Sequence, residues 1–148
     1  MSDPKDPLAI ALLSELFMAD QLARSRLTKA LPKGMEISHF SVLNYLARSS
    51  TERSPAEIAR AFHLTKGAMT NTLGKLEHAG HVHIFQDWDD ARRKLVSISP
   101  AGRRARDVAL DAIEPIVQDV VDAIGADRVK TALPVLREIR SRFDEESS

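Results

Sequence analysis

Lys66, Gly67, Thr70, Asn71 and Lys75 share one side of a helical spacing, and Arg92, Arg93 and Lys94 follow as an unbroken basic run. Asparagine can bond bidentately to adenine, a threonine methyl can meet that of thymine, and lysine reaches guanine or phosphate. The first set therefore suits base edges in a major groove. Gly67 has no side chain and suits a close approach of backbone to phosphate. From Ala91 to Arg106 there are six basic residues and no acidic one, the footprint expected opposite a phosphate backbone. Standing alone these residues would describe an ordinary solvated helix and a charged loop. Their meaning comes from the elements that hold them.

Ser54 is a good N-cap, Pro55 suits a first helical position and Glu57 lies three residues after the cap, so a helix of capping-box type is expected to start at Ser54. Its apolar stripe is Ile58, Ala59 and Phe62. The chain then turns through His63 and Leu64 to a second cap, Thr65, opening a helix from Lys66 to Ala79 that buries Met69, Leu73 and Leu76. Two helices joined this tightly must cross. Gly80 closes the second, and two β-rich runs follow, at 81–85 and 94–99, around a polar turn. Two short helices and then a hairpin with a basic arm make a winged helix-turn-helix.

Three segments carry a more specific resemblance: Leu76-Glu77-x-x-Gly80, Asp87-x-x-Asp90-x-Arg92, and Val96-Ser97-Ile98-Ser99-Pro100-Ala101-Gly102. Together they resemble the multiple-antibiotic-resistance regulator family, MarR, over nearly the whole chain. The resemblance implies that Asp90 braces the wing and Arg92 meets DNA in the minor groove; from the basic run itself, Arg93 and Lys94 are expected to join Arg92 at the minor groove and backbone. Ser99 to Gly102 matches the family's opening of a long fifth helix. It further implies a dimer that binds duplex DNA, and an effector, an aromatic or phenolic anion, between the dimer helices and the winged lobe. This chain departs from the family in having Ile84 and Ala91 where basic residues are common. Asp87, Asp89 and Asp90 also make the wing tip acidic, able to repel phosphate or to pair with Arg92 and Arg93. Trp88 beside them is expected to pack on the arginine stems.

The fold class expected is mainly α with a small β-hairpin wing: a winged helix-turn-helix lobe at 35–102, with Ser54 among its DNA-facing residues, between dimerisation helices at 7–34 and 103–144, as one domain over 1–148. That length can bury roughly 70% of its unfolded surface. The first helix carries Ala9, Leu12, Leu13, Leu16, Ala23, Leu27 and Ala30. Ser38 is expected to cap a second, with Phe40, Leu43 and Leu46 inward, and Phe17, Phe40 and Tyr45 read as core. A long helix from Pro100 to Gly125 has Ala105, Val108, Ala112, Ile116, Val120 and Ile124 in register. Asp127 should cap the last helix, which carries Val129, Leu133, Leu136, Ile139 and Phe143. Pro115 and Pro134 should kink these helices, or in the second case delay the start. Residues 1–6 and 144–148 are polar ends expected to fray. Apolar stripes at both ends exceed what a small winged helix can cover, which predicts a two-fold homodimer with recognition helices roughly 34 Å apart on a near-palindromic site.

Lys plus Arg equals Asp plus Glu at 21 each, so attraction to nucleic acid must come from local clustering. With no bilayer-length apolar run and no leader, a cytoplasmic location without membrane contact is expected. The chain has no cysteine, hence no disulfide and no thiol switch. No nucleophile elbow, phosphate-cradling loop or scaffolded carboxylate pair supports an enzyme, and no cofactor is expected. Two alternatives remain at this point: a winged helix that docks an acidic protein partner, and a metal-responsive regulator using His78, His81 and His83, three potential ligands within six residues. Zinc sites of this kind are usually completed by cysteine, which disfavours the second. His39 and His63 have no partner legible in the sequence.

Overall fold

The computed structural model describes residues 7–49 and 51–145. Its elements run α1 (Pro7–Ala30), α2 (Ile37–Arg48), α3 (Pro55–Ala61), α4 (Lys66–His78), β1 (Val82–Gln86), β2 (Lys94–Ile98), α5 (Pro100–Ile124) and α6 (Ala126–Glu145). Contacts divide the chain into two units, Met1–Ala112 and Ile113–Ser148.

The first unit is built on α2, α3, α4 and the hairpin. Val42, Leu43 and Leu46 of α2 close on Ile58 and Ala59 of α3, Met69, Leu73 and Leu76 of α4, and Val82 and Val96 of the strands. Side chains as fully buried as Leu43, Ile58 and Met69 each contribute about 1.5–3 kcal/mol by leaving water. Tyr45 and Phe62 meet edge to face, with ring centroids 5.5 Å apart. Phe40 is half-buried as part of this lobe, but Phe17 is 67% exposed, so its expected core position is corrected.

Local signals explain most element ends. Ser54 and Thr65 cap α3 and α4, accepting the N–H groups of Glu57 and Ala68 at 3.1 Å each. At the end of α4 the Gly80 N–H reaches the Glu77 carbonyl and the His81 N–H that of Leu76, both at 2.9 Å, with Gly80 at φ 78°. That is a Schellman ending, and it requires the left-handed conformation glycine adopts freely. The turn from α3 to α4 passes through His63 at φ 53°, where glycine would be the easier residue. Helix α2 starts one residue ahead of the expected cap. Glu36 takes that position, because the His39 ring nitrogen Nδ1 accepts the Glu36 N–H at 3.2 Å, while Ser38 lies inside the first turn.

The hairpin is antiparallel, pairing Val82 with Ile98, Ile84 with Val96 and Gln86 with Lys94. Arg53 adds a single bridge to Val96, its N–H and carbonyl both bonded across, a third-strand stub absent from the sequence reading. Ser99 then fastens the wing to α5. Its hydroxyl donates to the Gly80 carbonyl at 2.6 Å and accepts the Gly102 N–H at 2.9 Å. Gly102 lies so close to β1 that a Cβ there would stand 2.0 Å from the His81 carbonyl oxygen.

No residue of α1 is buried; of its expected stripe only Leu16, Leu27 and Ala30 are even half-covered. In α5 the register residues Val108, Val120 and Ile124 stay exposed, and its buried hydrophobic residues are Ala109 and Ile113. The second unit holds the distal part of α5 and α6, with Leu133, Val135, Leu136 and Phe143 exposed. Gly125, at φ 108°, separates the two helices, and α6 begins at Ala126 with Asp127 inside its first turn and not as its cap. Pro115 and Pro134 both lie inside helices, so Pro134 does not delay the start of α6. The ends expected to fray lie outside the described residues, save Asp144 and Glu145, which remain in α6.

Candidate nucleic-acid interface

With about 100° between successive residues, burial of Met69, Leu73 and Leu76 turns the opposite line of α4 to solvent. That line holds Gly67 and Asn71, as the sequence suggested, and continues through Gly74 and His78. The last two were missed, although their spacing from Gly67 and Asn71 was the signal. A Cβ on either Gly67 or Gly74 would meet nothing within 4 Å, so the face is open and shallow.

Lys66 and Thr70 lie along the edge of α4 toward the wing. They share a groove of about 780 Å³ with Ser54, Arg92, Arg93 and Lys94, which brings together six of the nine residues expected to face DNA. Glu77 and Asp90 line the same groove. Lys75 is on the other edge of α4. It lines a separate cavity and does not join the groove.

The wing loop is held by its own acids. Asp90 Oδ1 accepts both the Arg92 N–H at 3.0 Å and the Arg92 Nε at 3.2 Å, leaving the arginine side chain 93% exposed. The Arg93 N–H reaches the Asp90 carbonyl, the Asp87 N–H reaches the Arg93 carbonyl, and Gln86 spans the loop to the Ala91 carbonyl, each at 2.9 Å. Arg92 and Arg93 thus differ in role. The Arg93 guanidinium turns inward onto the Glu57 carboxylate of α3 and lies 4.0 Å from Asp87. Glu57 also accepts the Ser54 hydroxyl at 3.1 Å and has Arg53 at 3.6 Å. Burial pushes the Glu57 carboxyl up, but the Ser54 hydrogen bond and the Arg93 and Arg53 charges outweigh it and hold its pKa below the usual 4.5. Asp87 accepts the Asp89 N–H at 3.0 Å, and this turn lifts Trp88 to 97% exposure. The expected packing of the indole on arginine stems does not occur.

The cavity that contains Lys75 measures about 520 Å³. Met35, Leu76, Ala79, Ala105 and Val108 give it an apolar wall, and Lys33, Lys75 and Arg104 bring three cations, with His39 and His81 between. No acidic residue lines it among the described residues. Burial, above all, holds the His39 pKa below 6.5; Glu36 opposes this, and Lys75 and His81 add to it. His78, His81 and His83 do not come together: among the described residues no three His, Asp, Glu or Cys side chains form a group able to hold a metal. No helix among them is long and apolar enough to cross a membrane.

Residues 33–104, the span of this lobe, match the sequence model of the MarR family. The lobe at 33–104 belongs to the MarR family. That family consists of transcription regulators and not of enzymes. A transcriptional activatory protein, BadR of Rhodopseudomonas palustris, is 27% identical over 110 residues, covering 72% of this chain; the chain spans 63% of that relative's length. The transcriptional regulator BldR from Sulfolobus solfataricus is 25% identical with a TM-score of 0.81, covering 94% of this chain and 99% of its own. A MarR variant from E. coli complexed with operator DNA has the same fold, with a TM-score of 0.79 at 23% identity over 88% of this chain and 94% of its own.

Proposed function

We propose that this protein binds duplex DNA as a homodimer on a near-palindromic operator, represses by occluding the promoter, and releases the site when an apolar anion enters the cavity beside α4. The observation that carries the DNA reading is the joint exposure of the α4 face and of a braced Arg92 on either side of one groove. Asn71 and Thr70 read base edges; Lys66 and Lys94 meet phosphates; Arg92 enters the adjacent minor groove. Ser54, expected to face DNA, is buried with its hydroxyl proton given to Glu57, so it sets the head of α3 instead of donating to phosphate. Gly67 and Gly74 let the helix backbone approach closely. Arg93 acts first as the strut between the wing and α3, and Lys75 serves the cavity before it serves DNA.

The homodimer reading rests on the exposed apolar side chains, Phe17, Leu22 and Val135 among them, each more than half exposed. An isologous pairing of such surfaces would set two α4 helices on successive major grooves. The effector reading rests on a cavity with an apolar wall, three cations and no acid.

Fluorescence anisotropy against the DNA flanking the gene and a shuffled control, each at two salt concentrations, tests the DNA reading. A preference of about a thousandfold with two protomers per site supports it. Asn71→Ala should cost about 1–3 kcal/mol and relax preference at one position, whereas Arg92→Ala should weaken all sites evenly and lower the salt slope by about 1. Equal, weak, salt-erased binding to both DNAs would favour a winged helix that docks an acidic protein. Reporter expression with and without the protein separates repression from the activation named for the R. palustris relative.

A further inference from the structure

We propose that the cavity beside α4 takes its apolar anion together with a proton, and that His39 is the group that accepts the proton. The inference rests on the reading of this cavity as the effector site, and adds to it the chemistry of uptake.

The His39 side chain is only 12% exposed. Its Nδ1 accepts the Glu36 N–H, so the neutral ring carries its proton on Nε2, the nitrogen that lies 3.9 Å from the Glu36 carboxylate. Without an anion a second proton is opposed from three directions. Burial strips water from the ring; Lys75 of α4 and His81 at the entry to β1 repel a new positive charge. Nδ1 would also have to stop accepting the bond at the head of α2. Only Glu36, on the ring's own helix, favours the charge, and that carboxylate is 65% exposed and screened. Lys33 and Arg104 line the same space, so the cavity holds three permanent cations before any proton arrives.

An anion reverses this balance. A carboxylate or sulfonate seated among Lys33, Lys75 and Arg104 cancels the repulsion at His39, and the imidazolium then gains a partner where it had opponents. Whatever stabilises the charged ring in the complex must, by reciprocity, tighten the anion at lower pH. Lys75 and Leu76 belong to α4, so the recognition helix itself forms a wall of the site. Effector, proton and recognition helix thus meet at one place.

The probe is 1-anilinonaphthalene-8-sulfonate, an apolar anion whose sulfonate stays ionised, so any pH dependence belongs to the protein. Titrated by fluorescence into the full-length protein, it should bind about three- to tenfold tighter at pH 6 than at pH 8, since linkage allows about tenfold per pH unit for one proton. His39→Gln keeps an oxygen for the Glu36 N–H but cannot charge, and should flatten the profile. Calorimetry of the wild type in buffers of different ionisation heat should show net proton uptake without recourse to a variant. A flat wild-type profile without proton uptake, or an unchanged slope in His39→Gln, overturns the coupling and leaves the anion site standing. If Lys75→Ala and Arg104→Ala leave dye affinity unchanged at both pH values, the cavity is not an anion site, and effector reading and coupling fall together while the DNA reading stays open to its own test.

Discussion

Gly102→Ala puts a single methyl where the chain has no room, and the consequence can be worked from distances. The new Cβ would stand 2.0 Å from the His81 carbonyl oxygen and 2.9 Å from Cγ1 of Ile98. Carbon and oxygen approach comfortably at about 3.3 Å, so α5 and β1 must separate by roughly 1 Å. That carbonyl accepts the Ser99 N–H at 3.0 Å, and the Ser99 hydroxyl in turn holds Gly80 and Gly102. Relief therefore costs a buried hydrogen bond, about 1–3 kcal/mol, on top of overpacking of about 1–3 kcal/mol. Alanine returns about 1 kcal/mol of helix propensity. The net is about 3 kcal/mol of destabilisation, a fall in Tm of about 6–12 °C for a chain of this length. Urea denaturation followed by circular dichroism, at one fixed protomer concentration, measures it. Gly74→Ala is the contrast: it is also helical, but with open space around its Cβ position it should gain up to about 1 kcal/mol. A Gly102→Ala protein as stable as Gly74→Ala would refute the close-approach argument.

The remaining predictions concern the same lobe. Ser99→Ala should cost about 1–3 kcal/mol, because it removes the cap of α5 and leaves the Gly80 carbonyl without its donor; a loss below about 0.5 kcal/mol by urea denaturation would show that water replaces the hydroxyl. Glu57 has its pKa lowered in the fold, so the unfolded chain binds the proton more readily; its contribution is complete above pH 4.5 and is lost as pH falls through the folded value. Glu57→Gln should remove that part of the acid sensitivity in a pH series of denaturation curves. The same variant releases Arg93 and should steepen the salt dependence of binding to random DNA; an unchanged slope would mean that Asp87 alone holds the strut. Trp88 is the sole tryptophan and is 97% exposed, so its emission should be that of a solvated indole, readily quenched by acrylamide. Operator DNA should shield it if the wing tip reaches the groove, and quenching that is unchanged at saturation would place the tip outside the contact.

What the sequence made legible was whatever depends on neighbours along the chain. The caps Ser54 and Thr65, the glycine ending of α4, the strands of the hairpin and the buried line Met69, Leu73 and Leu76 all follow from local spacing, and the structure has them. The Asp90 brace on Arg92 is local too, two residues apart. What was not legible depends on which other element lies alongside. Lys75 and Thr70 both flank the outward line of α4, and in sequence they are equivalent. The structure separates them because the wing and the head of α3 border one edge of the helix, whereas Pro32 to His39 and Arg104 to Val108 border the other. Arg92 and Arg93 are adjacent and identical in type, but the first looks to solvent and the second crosses to Glu57, 36 residues away in sequence. His39 looked unpartnered although Glu36 lies only three residues away; what the sequence could not show is that Lys75 of α4 and Arg104 of α5 line the same cavity. A list of basic residues on a helix face therefore does not separate those that line the groove from the one that lines the cavity. The difference bears on function as well as packing: under the proposed reading a cation that faces the cavity would tie effector binding to α4, whereas the one held by Glu57 ties the wing to α3.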